Sequence, residues 1–441
     1  MAGNKACAGA ALAALMLPAA ALAAPVAAGA HTHGGAVPNG QVLHVTNLDD
    51  SGPGSLRAAI QTRGPRVIVF DVAGVIHLAS DLKVSLPDVT IAGQSAPDPG
   101  VTLTGGTLLL RASDIVVQHI AVRPGPGPTP EINGNRDSVT IGGGTHPLHD
   151  VRVENVSLSW SVDENADTGG GTRDITLRNN IIAEALNHAG HPKGHHSMGM
   201  LINKDNQGVA VTGNLFVSNM FRNPVVARGA SAFIGYNLIV NPGQNAIHFY
   251  AVATPTPIRA SVIGNIVIAG RDTKRDVTAV QIPPGMAQQA PDAQIYLSGN
   301  RAAPGPLTNR GNFRLAAAPP VVLADAIAPP ADVRAWVLRY AGARPAARDA
   351  VDRRIVAGAM DGTARIIDNP AQVGGLADTP PVHAAAAVPS NPFGPSLDGL
   401  TRIEAWLCMR HLMLGGPNTP ECPRDVAAYR GALNPKMSQR R

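Results

Sequence analysis

The chain reads as an all-β protein built as a parallel β-helix, and three observations predict this. Short segments centred on an Asn and an apolar follower recur at Asn155, Asn180, Asn214, Asn237 and Asn265. A weaker copy ends at Asn300, and His119–Ile120 holds the same place in an earlier one. Successive Asn positions differ by 25, 34, 23, 28 and 35 residues, a spacing at which self-similarity signals a solenoid. The stretches before each Asn, such as Asp150–Val153 and Asp174–Leu177, alternate apolar and polar residues and are rich in β-branched side chains, as half-buried strands are. No apolar periodicity of helix length interrupts the copies, which excludes βαβ units. Stacked coils bond to their neighbours and leave edges only at the two ends. One Asn per coil, always before apolar residues, suits a ladder in which each amide bonds the coils above and below. Supplying turns alone would not require that constancy.

Taken in order, residues 1–23 carry a lone Lys5, an Ala/Leu-rich stretch and the sequence Ala21–Ala23. This is the pattern of a cleaved secretory leader of the bacterial Sec type rather than a membrane span, so an exported protein, periplasmic or extracellular, is expected. No other stretch is long and apolar enough to cross a bilayer. Val42–Val45 reads as a first strand, and Ser55 as the N-cap of a short helix over Leu56–Ile60 that covers the open end of the solenoid. Coils then run from Arg66 to about Phe313. The β-helix is expected over residues 40–315 and a partly helical extension over 316–441. Pro and Ala thicken between Ala302 and Ala331, as in a linker or a chain running along the outside. From Asp332 the pattern turns helical: Val333, Trp336, Val337 and Tyr340 share one face, and Val351, Ile355 and Val356 another. A last helix is expected over Leu400–Leu412. Cys7 falls in the leader, which leaves Cys408 and Cys422. In an oxidising compartment two cysteines most simply form one disulfide.

The formal charge of +5 suits a polyanionic partner only weakly, since many exported proteins share it. Aromatic residues make up 3% of the chain. That scarcity argues against neutral-sugar and single-stranded nucleic-acid binding, both of which use stacking platforms. It favours a substrate gripped by charge.

The repeat stacks three polar segments: Asn135–Asp137, Trp160–Asp167 and Asn219–Pro224. Carboxylates from adjacent coils can converge on Ca²⁺, which takes several oxygen ligands. Asp163, with Asp167 or Glu164, supplies one side and Asp137 the other. A solvated acidic loop is the plainer account of any one of these residues, but not of the stacked set. His188, His191, His195 and His196 lack a fixed zinc-type motif and read as a polar loop flanking a groove. Within that loop a His or Lys193 touches substrate. Arg222, beside the acidic cluster and before Pro224, is placed to bind a carboxylate in two-point fashion.

The segments Val45–Leu48, Ser55–Ile60, Val89–Pro97, Val122–Gly125, Trp160–Asn165, His196–Ile202 and Ala341–Val356 resemble the pectate lyase family of right-handed, single-stranded parallel β-helix proteins (polysaccharide lyase family 1). The resemblance spans most of the chain after the leader. It implies a secreted lyase, monomeric, that cleaves polygalacturonate by calcium-dependent β-elimination. Asp137 matches a family calcium carboxylate, and Asp163 and Asp167 keep the four-residue separation of two more, with Glu164 a substitute for either. Asn135 stands where some members carry Asp. Arg222 lies eight residues after Asn214 and keeps the Arg-x-Pro pattern of the catalytic arginine. Arg228 comes one residue later than the second family arginine. The family's substrate-binding lysine has no clean match, and His196 or Lys193 stands in. Arginine is an awkward base, its pKa lying above about 12; neighbouring positive charge would have to help, or Arg222 stabilises the carbanion only. The alternatives are another polyuronate lyase, a pectin lyase without need of calcium, a polygalacturonase-type hydrolase with paired acids, and a non-catalytic polysaccharide-binding β-helix.

Overall fold

A computed structural model describes residues 25–433 except 145, 253–255, 304, 306–307 and 326–328. The expected leader over 1–23 lies outside the described residues. The chain winds through three long sheets. Sheet I runs over ten strands from Gln41–Val45 to Gln294–Ser298. Sheet II runs over nine parallel strands from Val72–His77 to Arg301–Ala303, and sheet III over nine from Leu82–Val84 to Thr308–Asn309. Each coil visits I, II and III in turn. Every pairing along the stack is parallel; Val382–His383 alone adds an antiparallel strand to the first strand of sheet II. This is the right-handed parallel β-helix expected from the sequence.

The inward positions are branched aliphatics with a few Phe: Ile68, Ile91, Val117, Val153, Leu177, Val211, Ile234 and Val262 fill one column, all essentially inaccessible. β-branched residues suit this pleated, closely stacked environment. At the open end Ser55 accepts from the Ala58 amide and starts the helix Leu56–Gln61. Leu56, Ala59 and Ile60 of that helix plug the first coil, as the sequence indicates.

The asparagine ladder forms, with its register shifted at one end. Asn180, Asn214, Asn237 and Asn265 each donate Nδ2–H to the Oδ1 of the next Asn at 2.9–3.0 Å, ending on Asn300. Asn155 is not a rung. Ile181 pairs with Ser157, so Asn180 stacks on Val156, while Asn155 stacks on Asn179 and, one coil earlier, on His119. These three share a left-handed backbone (φ 49°, 54° and 57°), which Asn tolerates better than most residues. Two adjacent columns that both favour Asn were read as one in the sequence. Asn155 instead donates to the Tyr340 and Gly342 carbonyls, at 2.7 and 3.2 Å, and fastens the C-terminal segment.

That segment lies against the solenoid. Strand Val321–Leu323 runs along the outside and pairs with Val26–Ala28. Helices Val333–Tyr340 and Ala350–Asp361 pack on the outer residues of sheet II, among them Ile181, Leu215 and Leu238. Helix Arg402–Met413 packs on Val67, Val69 and Ala92 of sheet I, with Cys408 bonded to Cys422. A further helix, Val426–Leu433, gave no clear signal in the sequence. Arg123, fully buried, bonds Asp349 at 2.6 Å and Asp352 at 2.8 Å. Two of the segments that carry the family resemblance are thus the two halves of one buried ion pair, which clamps extension to coil.

The ladder sets a measurable cost. Asn214 accepts from the Asn180 amide and side chain and donates to Leu177 and Asn237. Asn214→Ala leaves those buried groups unpaired and is expected to lower unfolding stability by about 3 kcal/mol in urea titration. A loss below about 0.5 kcal/mol would show the ladder to be ornamental.

Candidate active site

Sheet III carries the polar constellation on its outer face. Asp137 stands three residues before Thr140, and Glu164 three before Asp167; Thr140 pairs with Asp167. The parallel register therefore sets Asp137 beside Glu164 on adjacent coils. Asp137 Oδ1 accepts the Glu164 amide at 3.0 Å and Oδ2 the Thr140 hydroxyl at 2.5 Å. Carboxylate oxygens of Asp137, Asp163 and Glu164 all fall within 4.8 Å of one another. Asp167 Oδ1 is buried and has no partner among the described residues.

Arg222 precedes strand Val225–Val226, two strands further along. Its guanidinium reaches back across the coil of Met198, and Nη1 forms an ion pair with Glu164 Oε1. Nε donates to the Tyr250 hydroxyl at 3.1 Å. The residue is held in a left-handed conformation, φ 58°, as are other corner residues of the coils such as Trp160, Glu184 and Ser218. Its backbone lies tight against Gly199: a Cβ there would meet the Arg222 carbonyl at 2.5 Å and Asn223 Oδ1 at 2.9 Å. A second amide chain, Asn165 to Asn219 to Asn223, each link 3.1 Å, ties the acidic turn to the arginine turn.

The electrostatics are those of a site short of positive charge. Burial, then Asp163, pushes the Asp137 carboxyl up to about 8. Burial, then Asp137 and Asp163, pushes Asp167 well above the usual range. Arg111, unnoticed in the sequence, is the nearby counter-charge: burial lowers its pKa against the pull of Asp167 and Asp137, and its Nη1 is buried without a partner. Four carboxyl groups thus crowd two guanidiniums, and the raised Asp137 and Asp167 pKa values show that the protein alone does not favour ionising all four together. Buried like charges persist only with compensation. The oxygen-only donor set and the crowding both fit a hard divalent cation such as calcium.

The histidines converge more than expected. His196 Nε2 bonds Asp163 Oδ1 at 2.6 Å, and His191 Nε2 lies 3.9 Å from the same oxygen. Their rings stack at 3.6 Å with 12° between planes. Imidazole lone pairs lie in the ring plane, so an ion between two nearly parallel rings would sit outside both planes. The pair as placed braces Asp163 rather than chelating a metal. His196 is buried and occupied by Asp163, whereas Lys193 and Arg228 are exposed. Arg228 follows the strand that Arg222 precedes. Glu184, between the acidic and arginine segments in the sequence, is taken by Arg354 at 2.5 and 2.8 Å and by the Trp160 indole at 3.1 Å.

A probable pectate lyase C from Aspergillus flavus is 34% identical over 365 residues, which cover 79% of this chain and 80% of that protein. The chain belongs to the pectate lyase family. Members of that family are polysaccharide lyases. A probable pectate lyase C from Aspergillus fumigatus is likewise 34% identical over 345 residues, 75% of this chain and 74% of the other. No family model matches the sequence. Among solved structures, jun a 1, the major allergen from cedar pollen, has a TM-score of 0.47 at 17% identity over 62% of this chain and 80% of its own. A pectate lyase from Bacillus sp. N165, solved in complex with trigalacturonate, has a TM-score of 0.45 at 13% identity over 70% and 95% of the two chains.

Raised carboxyl pKa values fix the sign of a pH effect. Asp137 titrates near 3.8 unfolded and about 8 folded, so its contribution to stability is full below pH 4 and is lost as pH rises through 8. In the presence of a chelator, thermal stability is expected to fall between pH 6 and about 8, and added Ca²⁺ to abolish that slope. A chelated protein with no slope over this window would show the cluster to be compensated already.

Proposed function

We propose that this chain is an exported lyase that cleaves polygalacturonate by calcium-dependent β-elimination. The observation that carries the proposal is the buried cluster of four carboxyl groups, two of them with raised pKa, in contact with Arg222. Family membership and the names of the relatives support the substrate class. The Cys408–Cys422 disulfide and the leader-like N-terminus support export.

Asp137, Asp163, Glu164 and Asp167 are the residues that would hold the cation. Bound there, calcium supplies positive charge that acidifies the C5 proton beside the uronate carboxylate. Arg222 is the group assigned to that proton. Its electrons form the C4–C5 double bond, the C4–O bond breaks, and the departing oxygen takes a proton from solvent. Lys193 and Arg228, both exposed, are assigned to substrate carboxylates in neighbouring subsites. His196 holds Asp163 in place and does not meet the sugar directly.

The Glu164 contact bears on the awkwardness of an arginine base. A carboxylate against a guanidinium favours the protonated form. Were Glu164 to ligate a cation instead, Arg222 would lose that hold and neutral guanidine would come within closer reach.

The test is ultraviolet absorbance of the unsaturated uronate released from polygalacturonate, with and without added Ca²⁺. A calcium-dependent rise is expected. Arg222→Ala should lower kcat by about 10³-fold or more, and Asp163→Ala should weaken calcium binding in calorimetry as well as activity. New reducing ends without absorbance would overturn the lyase reading in favour of hydrolysis. Absence of both would point to another polyuronate or to binding alone.

A further inference from the structure

Building on the lyase reading, we infer that Tyr250 is a positioning residue for Arg222, fixing its guanidinium through Nε so that Nη2 faces the substrate. The geometry supplies two anchors for one fork. Nη1 lies on Glu164, Nε donates to the Tyr250 hydroxyl at 3.1 Å, and among the described residues Nη2 makes no hydrogen bond. A guanidinium held at two of its three nitrogens keeps its plane, which a flexible arginine on an open groove would not. The same ring lies 6.0 Å from Arg222 Cζ.

Tyr250 is itself well placed to act as a fixed point. It follows the strand Ile247–Phe249, one coil beyond Arg222, and its amide donates to the Val226 carbonyl at 3.1 Å. Its ring meets the His248 imidazole edge-on at 5.8 Å. His248 is buried behind it, with its pKa pushed down to about 4 by burial, Arg222 acting in the same direction. At neutral pH it is an uncharged wall, so the Tyr250 hydroxyl is the polar group that the coil presents to Arg222. Were Glu164 to turn to a cation, the Tyr250 hydroxyl would be the remaining anchor. The hydroxyl would then matter most in the state that turns over.

The test compares wild type, Tyr250→Phe, Arg222→Lys and the double variant. Phenylalanine keeps the ring and removes only the acceptor. Tyr250→Phe is expected to lower kcat about tenfold or more while KM and the calorimetric calcium affinity stay within twofold. Lysine has no Nε–H to offer, so Tyr250→Phe should add less than twofold in the Arg222→Lys background. A second readout needs no activity. In arginine-labelled protein the Arg222 Nε–H resonance, identified by its loss in Arg222→Lys, should exchange slowly in wild type and rapidly in Tyr250→Phe. Unchanged kcat in Tyr250→Phe, equal losses in both backgrounds, or an Nε–H that exchanges equally in wild type and variant would overturn the assignment. Wild-type protein that leaves polygalacturonate intact would sink the lyase reading while the Nε–H exchange still decides whether the clamp exists.

Discussion

Everything in this molecule depends on the register between successive coils. Parallel strands in a solenoid pair only with the coil before and the coil after, and a one-residue slip would turn each inward aliphatic to the surface. The buried amide rungs from Asn180 to Asn300 oppose such a slip, because each Asn must meet both a backbone carbonyl and the next side chain at about 3 Å. The aliphatic interior supplies most of the driving force, but it does not choose among registers of similar burial. Directional bonds do.

The same register that stacks Asn on Asn also stacks like charges. Asp137 and Glu164 fall side by side because their strands are in phase, and Asp163 and Asp167 sit on the same turn and strand. In a solenoid this is unavoidable: residues on one column are about 4.8 Å apart, close enough for carboxylates to repel strongly once buried. The fold supplies Arg111 and Arg222 against four carboxylates and stops there. Other buried charges are matched by ion pairs, as in Arg123 with Asp349 and Asp352 or Arg178 with Glu154 and Glu421, or, as in Arg66, by backbone carbonyls. The crowded carboxyl groups lie on the outer face of sheet III, where a cation could relieve their repulsion.

The parts legible in the sequence were those with a period. Recurrent Asn with apolar followers gave the solenoid, the N-capping Ser55 gave the end helix, and the helical faces at Val333 and Val351 gave the packed extension. What stayed hidden was whatever depended on phase or on a single long side chain. Asn155 and Asn180 look alike in sequence, yet one belongs to a left-handed column and the other to the ladder, a difference of one residue that only strand pairing resolves. Arg111 has no motif around it; it matters because its coil lies beside that of Asp137. Tyr250 was invisible for the same reason, its link to Arg222 spanning 28 residues of sequence and a single coil of structure. Glu164 was recognised as acidic and close, but its pairing with Arg222 depends on how far a guanidinium reaches across the intervening coil of Met198.

That reach explains why the arginine turn is built so tightly. A side chain spanning two coils magnifies small backbone errors, and a misplacement of about 1 Å can cost two orders of magnitude in rate. The chain counters this with several independent restraints on one residue. Gly199 permits contact with the Arg222 carbonyl that a Cβ would block, and the Met200 amide bonds that carbonyl at 2.6 Å. Asn223 is locked to Asn219 and to the Asn245 carbonyl, at 3.1 and 2.8 Å. The unfavourable φ at Arg222 persists because these contacts over-determine it. On the proposed lyase reading, the amide chain, the Gly199 contact and the tyrosine hydroxyl all serve to hold this one guanidinium where the C5 proton of a bound uronate would lie.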